Sequence, residues 1–170
     1  MFEARILKGS GFRFSQSDPT HVHLDKLRGL IRFGPYKRLE FVPRVGFVFP
    51  DGYRDHANNL FLALRNGVGY FKGLTSLFNV RFETDQVFPI TGFRIANPHD
   101  HVECAQRYRD AIATWREVQH QEADIFLNLH PRSLAWEDDS AYASCKAVLL
   151  EAGIISQNVT FELMDNPSQF

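Results

Sequence analysis

From Arg44 onward, apolar and polar positions follow two rhythms in turn. Val45-Gly-Phe-Val-Phe49 is a nearly continuous apolar run, stopped by Pro50-Asp51-Gly52. A run of this kind reads as a strand buried on both faces. Between Asp55 and Tyr70, Leu60, Phe61, Leu64 and Val68 recur at helical spacing, which predicts a helix. Val80-Arg-Phe82 predicts a second strand, and Val102 to Val118, rich in Ala, Arg, Gln and Glu, a long helix. Ala123-Asp-Ile-Phe-Leu-Asn-Leu129 predicts a third strand, stopped by His130-Pro131. Ser140 to Ala152 predicts a helix with Gly153 at its C′ position, and Ile155 to Leu163 a fourth strand.

Strands that alternate with helices pair in parallel, so the fold class is α/β. The expected form is an open Rossmann-like parallel sheet of about four strands, with helices on both faces. Val45 to Phe49, Ile125 to Leu129 and Val159 to Phe161 are its expected central, buried strands. In such sheets a ligand sits beyond the carboxyl ends of the strands, and the turn after Leu129 is one such end.

Residues 1–40 lack this rhythm. Ala4 to Lys8 and Phe12 to Phe14 read as short strands around Gly9 to Gly11, Ser15 to Pro19 as a loop, and Gly34-Pro35 as a turn. We therefore read 1–40 as a linker or arm and 41–170 as the α/β domain.

Composition narrows the function classes. With 44% apolar residues and 16 Phe among 170 residues, the chain can bury a real core. Lys and Arg number 19 against 20 Asp and Glu. A nucleic-acid site must then be a local patch or pocket, not a global field. Two cysteines, Cys104 and Cys145, without Cys-x-x-Cys spacing form neither a disulfide framework nor a zinc site. Arg5 and Lys8 interrupt any signal-peptide core, and no apolar stretch reaches membrane-spanning length. A reduced, cytoplasmic protein with no membrane partner is the expectation.

The residues that bear chemistry gather near the carboxyl end. Tyr142 and Lys146 are four apart and share one helix face, with Ser140 as the N-cap and Asp138 and Asp139 near the positive helix end. Val148, Leu149, Ala152 and Cys145 are expected on the core face. Gln157 follows in the turn or strand start after Gly153. Ring, ammonium and amide can converge on a nucleotide phosphate with its base stacked on the ring. The alternative, a rim aromatic beside a solvated charge, is what most helices with such a pair carry.

Elsewhere the signals are thinner. His21-Val-His23 has metal-ligand spacing but no third ligand. His99-Asp-His101-Val-Glu103 resembles part of a zinc-deaminase signature without its Pro-Cys-x-x-Cys partner, and capping explains it better. His130 is a strand-end base without a nucleophile motif, and no Gly-x-Gly-x-x-Gly or Walker A is present. No metal site and no catalytic residue are expected. Phe12, Phe14 and Phe33 are candidates for an exposed partner-facing patch.

Ala123 to Asn158 resembles the MID domain of prokaryotic Argonaute proteins. The matching pieces are Ile125-Phe-Leu-Asn-Leu129, His130-Pro-Arg132, Tyr142 with Lys146, Gly153-Ile-Ile, and Ser156-Gln157. Upstream, Arg28-Gly29-Leu30 and Phe33-Gly34-Pro35-Tyr36 are similar to the Gly-Leu and Gly-Pro-Tyr stretch that precedes that domain. The resemblance implies a non-catalytic module that anchors the 5′-phosphorylated end of a guide RNA or DNA. Tyr142 would stack on the first base, Lys146 and Gln157 would hold the phosphate, and Arg132 would contact the backbone. The family's next helix supplies a further Lys, and a C-terminal carboxylate helps to hold a metal ion. The residues up to Phe170 stop before that helix and hold no PIWI domain. The expectation is thus an isolated MID unit or half of a split protein, with an incomplete pocket. Its partner would be a PIWI-type half, and Mg2+ would join the 5′-phosphate site only in the full assembly. The alternative class is a small α/β nucleotide-binding domain or enzyme that uses the same strand-end crevice.

Overall fold

A computed structural model describes residues 11–15, 17–36, 41–69, 71–78, 80, 82–97, 100–120, 122–130 and 139–160. Its sheet is assembled around β3 (Val45–Val48), which pairs in parallel with β4 (Val87–Ile90) on one side and β5 (Ile125–His130) on the other. β6 (Ser156–Thr160) pairs in parallel with β5, so the strand order is β4-β3-β5-β6. Four parallel strands with helices around them make an α/β fold of the kind the hydrophobic rhythm predicts.

The crossovers explain how both faces are covered. The chain moves from β3 outward to β4 through α2 (Arg54–Asn66) and α3 (Leu74–Phe78). It then reverses direction across the sheet, through α4 (His101–Gln119) to β5 and α5 (Asp139–Glu151) to β6. Crossovers of one hand taken in opposite directions put their helices on opposite faces. Successive strand residues face opposite ways, and two cores result. Val45, Phe47 and Phe49 meet Ala57 and Leu60 of α2, with Phe82 and Leu129. On the other face Val48, Ile90 and Phe126 meet Ala105, Tyr108 and Ile112 of α4 and Cys145 and Leu149 of α5. Each fully buried large apolar side chain stabilises the fold by about 1.5–3 kcal/mol.

Local chemistry sets the helix ends. Asp100 caps α4 by accepting from the Glu103 amide at 2.9 Å, and Glu103 places a second carboxylate in the first turn. α5 ends in a turn closed by the Gly153 amide on Leu150 O and the Ile154 amide on Leu149 O, at 2.9 and 2.8 Å. Gly153 has φ +69°, which only glycine adopts freely.

Three expectations need correction. Val80 and Phe82 are buried, but they do not form a strand; Phe82 packs on Phe61 with ring centroids 5.4 Å apart. A 3-10 turn at Thr84–Gln86 intervenes, and the strand is Val87-Phe-Pro-Ile90. Its Pro89 disguises it. Ile90 O accepts from the Phe49 amide on β3. Residues 88 and 90 therefore point their backbone inward, and Pro89 turns its missing N–H to the outer edge, where none is needed. Second, β6 is an edge strand among the described residues, not a central one, because the crossover from β5 lays it on the outer side. Val159 is only half-buried, and Phe161 lies outside the described residues. Third, Ala152 is exposed, so the buried stripe of α5 runs through Cys145 and Leu149, with Val148 half-buried beside them.

Ahead of the sheet, β1 (Phe12–Arg13) pairs antiparallel with β2 (Val22–His23), and α1 (Lys26–Phe33) follows. Asp25 caps α1 through the Arg28 amide at 2.9 Å. Phe14 is buried, 6.2 Å from the Phe33 ring, and His21 stacks on Phe33 at 4.6 Å. Of the three arm phenylalanines only Phe12 is exposed, so an exposed patch of all three is not what forms. The expected strand at Ala4 to Lys8 lies outside the described residues.

A methyl group tests the packing of the central strand. A Cβ on Gly46 would stand 2.5 Å from Cδ1 of Phe126 and 3.2 Å from Cδ1 of Ile90. The Phe126 ring is itself held edge-on by Trp115 and covered by Arg116, 5.3 Å from its centroid. Gly46→Ala should therefore lower stability by about 1–3 kcal/mol, read as an earlier urea midpoint with unchanged slope.

Candidate functional site

α5 and β6 bring two of the sequence-predicted residues together. Lys146 Nζ donates to the Ser156 carbonyl and stands 3.5 Å from Gln157 Oε1. The edge position of β6 explains why. The Phe126 amide bonds Ile155 O, so residues 155, 157 and 159 turn their backbone toward β5. Ser156 and Asn158 then present their carbonyls to the edge that no described strand covers. The Lys146 ammonium satisfies the first, and Gln157 Nε2 satisfies the second at 3.2 Å. The long lysine side chain reaches from α5 over the edge of the sheet.

The meeting point is not where sequence reasoning put it. Gln157 is opposite Leu127 in the register, in the amino half of β6, whereas the expected pocket was at the carboxyl ends. α5 starts beyond the carboxyl end of β5 and returns. Lys146 lies seven residues in, about 10 Å along the helix axis, and so faces the start of β6. Tyr142 lies one turn before Lys146 on α5, but its side chain, like that of Ser140, is outside the described residues. Arg132 and Asp138 are outside them as well.

A second polar group was not foreseen as a unit. Asn128 and Asn158 are register partners, and Asn128 Nδ2 donates to Asn158 Oδ1 at 3.1 Å. His130, two residues on, is on the same face; its Nε2 is 3.7 Å from Cys145 Sγ, and its ring lies 4.4 Å from that of Tyr108. The Tyr108 hydroxyl donates to the Leu129 carbonyl. Asn128 Oδ1, Asn158 Nδ2 and His130 Nδ1 are buried without a hydrogen-bond partner among the described residues. The signal was visible: an Asn inside the apolar run Ile125 to Leu129, and another in the next strand.

Burial governs the titration of this group. Desolvation drives the His130 imidazole down to about 4, against a smaller opposing contribution from the Asn158 side chain. Desolvation pushes the Cys145 thiol up to about 12. Both are therefore neutral at pH 7, and Cys145 holds its proton. A nucleophilic cysteine needs the reverse, a lowered thiol beside a cationic imidazole.

The remaining candidates resolve into local structure. His21 pairs with Asp18 at 3.2 Å, and His23 Nδ1 is 2.9 Å from both the amide and the carbonyl of Asp25. Among the described residues no three His, Cys, Asp or Glu come close enough to hold a metal ion. Two open clefts flank β4, one under α2 with Phe47, Phe61 and Arg54, the other along α4 with Phe93, Arg107 and Trp115. Neither includes Lys146 or Gln157. Among the described residues, no helix is long and apolar enough to cross a membrane.

No family model and no curated protein matches the sequence. Among solved structures, the chain is similar to Clostridium butyricum Argonaute, in a structure bound to a guide DNA with a 5′ deoxycytidine and a 19-mer target DNA. The TM-score is 0.54 at 15% identity, and the match covers 96% of this chain and 21% of that one. At that identity the likeness is one of fold, and this chain spans about a fifth of the length of that Argonaute.

The buried imidazole gives the protein an acid limit. An unfolded His takes up its proton near pH 6.5, and His130 only near 4. Between those values the unfolded state binds more protons, so stability is complete above about pH 6.5 and is lost as pH falls through the window. The loss reaches about 3 kcal/mol near pH 4. His130→Gln, which cannot titrate, should show a shallower decline over this range in urea titrations. Parallel pH curves for the two proteins would exclude a neutral, buried His130.

Proposed function

We propose that this chain is a nucleic-acid-binding module of Argonaute MID type, one that anchors the 5′-phosphorylated end of a guide RNA or DNA and does no chemistry of its own. The observation that carries the reading is the juxtaposition of Lys146 with Gln157 at one open edge. The Tyr-x-x-x-Lys and Ser-Gln motifs single out these same residues. The fold likeness to an Argonaute bound to a guide DNA and a target DNA supports it.

The mechanism is an exchange of partners. A terminal phosphate that approaches the start of β6 competes with the Ser156 carbonyl for the Lys146 ammonium. Because it carries full negative charge, it makes the stronger, charge-assisted bond. The Gln157 amide supplies a second donor from the adjacent strand. Tyr142, one helical turn earlier, stacks on the first base, and Arg132 contacts the following backbone. The neutral state of Cys145 and His130 weighs against the alternative of an enzyme built on that pair.

Binding of 5′-phosphorylated and 5′-hydroxyl versions of one single strand tests the reading. The wild type should prefer the phosphorylated strand. Lys146→Ala should reduce that preference by roughly 10- to 100-fold, the worth of a hydrogen bond to a charged group. Tyr142→Ala should weaken both strands by about 1–3 kcal/mol, because stacking does not sense the phosphate. Equal affinity of the wild type for the two strands would refute 5′-phosphate anchoring.

A further inference from the structure

The near-neutral total charge conceals a division. Residues 1–40 hold eight Lys and Arg against four Asp and Glu, whereas residues 41–170 hold eleven against sixteen. A basic segment joined to an acidic body is the electrostatic footprint of a polyanion contact. Arg13, Lys26, Arg28 and Arg32 are all exposed on the hairpin and α1. α1 itself, Lys-Leu-Arg-Gly-Leu-Ile-Arg-Phe, contains three cations and no acid. The two carboxylates described in the arm have local duties. Asp25 caps α1 and stands 3.8 Å from Arg28, while Asp18 bonds Thr20 and pairs with His21.

Rings accompany the cations. Lys26 Nζ lies 5.0 Å from the centroid of Phe12, and the Arg32 guanidinium 5.1 Å from that of Phe33. Phe12 is 41% exposed. Exposed cations interleaved with an accessible ring suit a single strand: the charges follow the phosphates, and the ring takes a base of any sequence. A lipid surface asks instead for a helix that offers a continuous apolar face to the headgroups; on α1 Phe33 turns onto Phe14 and His21, and Ile31 is the one exposed apolar side chain among those described.

We propose that the hairpin and α1 form a second, sequence-independent contact for the backbone of a bound nucleic-acid strand, separate from the β6 edge. This rests on the nucleic-acid part of the functional reading but not on 5′-phosphate anchoring. The β6 edge then selects the end of the strand, and the arm holds its length.

The test is a salt titration of binding to a single strand of about 20 nucleotides, phosphorylated or not, with the full chain. Lys26→Gln/Arg28→Gln/Arg32→Gln should weaken both strands alike, by tenfold or more at low salt. The slope of log K against log salt should become shallower by about 2, at about 0.7 per lost phosphate contact. The preference for the phosphorylated strand should stay as in the wild type. Arg28→Lys/Arg32→Lys should bind like the wild type, which separates lost charge from a damaged arm. If the triple variant loses affinity while the wild type shows no phosphate preference, the arm contact stands and end anchoring fails. Unchanged affinity and slope in the triple variant overturn the arm contact. So does an arm that takes the wild type to phosphatidylserine vesicles but leaves strand binding untouched.

Discussion

A strand with parallel neighbours on both sides needs cover on both faces, since neither face can be left to water. β3 is such a strand, and every described residue from Val45 to Pro50 is buried. That requirement dictates the course of the rest of the chain. One crossover leaves β3 in one direction and the others return past it, so the covering helices fall on opposite faces. Gly46 belongs to the same constraint: at that position the sheet approaches the Phe126 ring too closely for any side chain. The helix that carries Lys146 owes its position to this arrangement and to its packing beside α4 in the same core.

Much of this was legible. Buried strands are apolar at nearly every position, so Val45 to Phe49 and Ile125 to Leu129, Asn128 apart, stand out without periodicity. α4 was visible from its content of Ala, Arg, Gln and Glu, and α5 from its stop at Gly153. The failures occurred where sequence and position trade roles. Pro89 suppresses the reading of β4, although at an outer edge its missing donor costs nothing. Val80 and Phe82 are core residues held by irregular backbone, which no local pattern distinguishes from a strand. The edge position of β6 depends on which strands flank β5, and that is a property of the topology alone. At the site, Lys146 and Gln157, which motif spacing singles out, stand 3.5 Å apart. That spacing could not show that helix direction carries the pair to the amino half of the strand.

The polar group around His130 shows another limit. Asn128, Asn158, His130 and Cys145 come from two strands and a helix, and only the register brings them together. Residue types that elsewhere make a nucleophile and its base are here buried deeply enough to hold both neutral. Proximity of a thiol to an imidazole is thus not sufficient for reactivity; the dielectric surroundings decide.

The outer carbonyls of β6 add a consequence for association between molecules. At the opposite edge, Pro89 leaves a neighbouring chain one donor fewer to pair with. At β6 the protection is supplied by side chains, through Lys146 on Ser156 and Gln157 on Asn158. Side chains can be withdrawn where a proline cannot. Any anion that recruits Lys146 and Gln157 uncovers two strand acceptors in the same event. Occupancy of the site and readiness of the edge for intermolecular pairing are therefore coupled quantities.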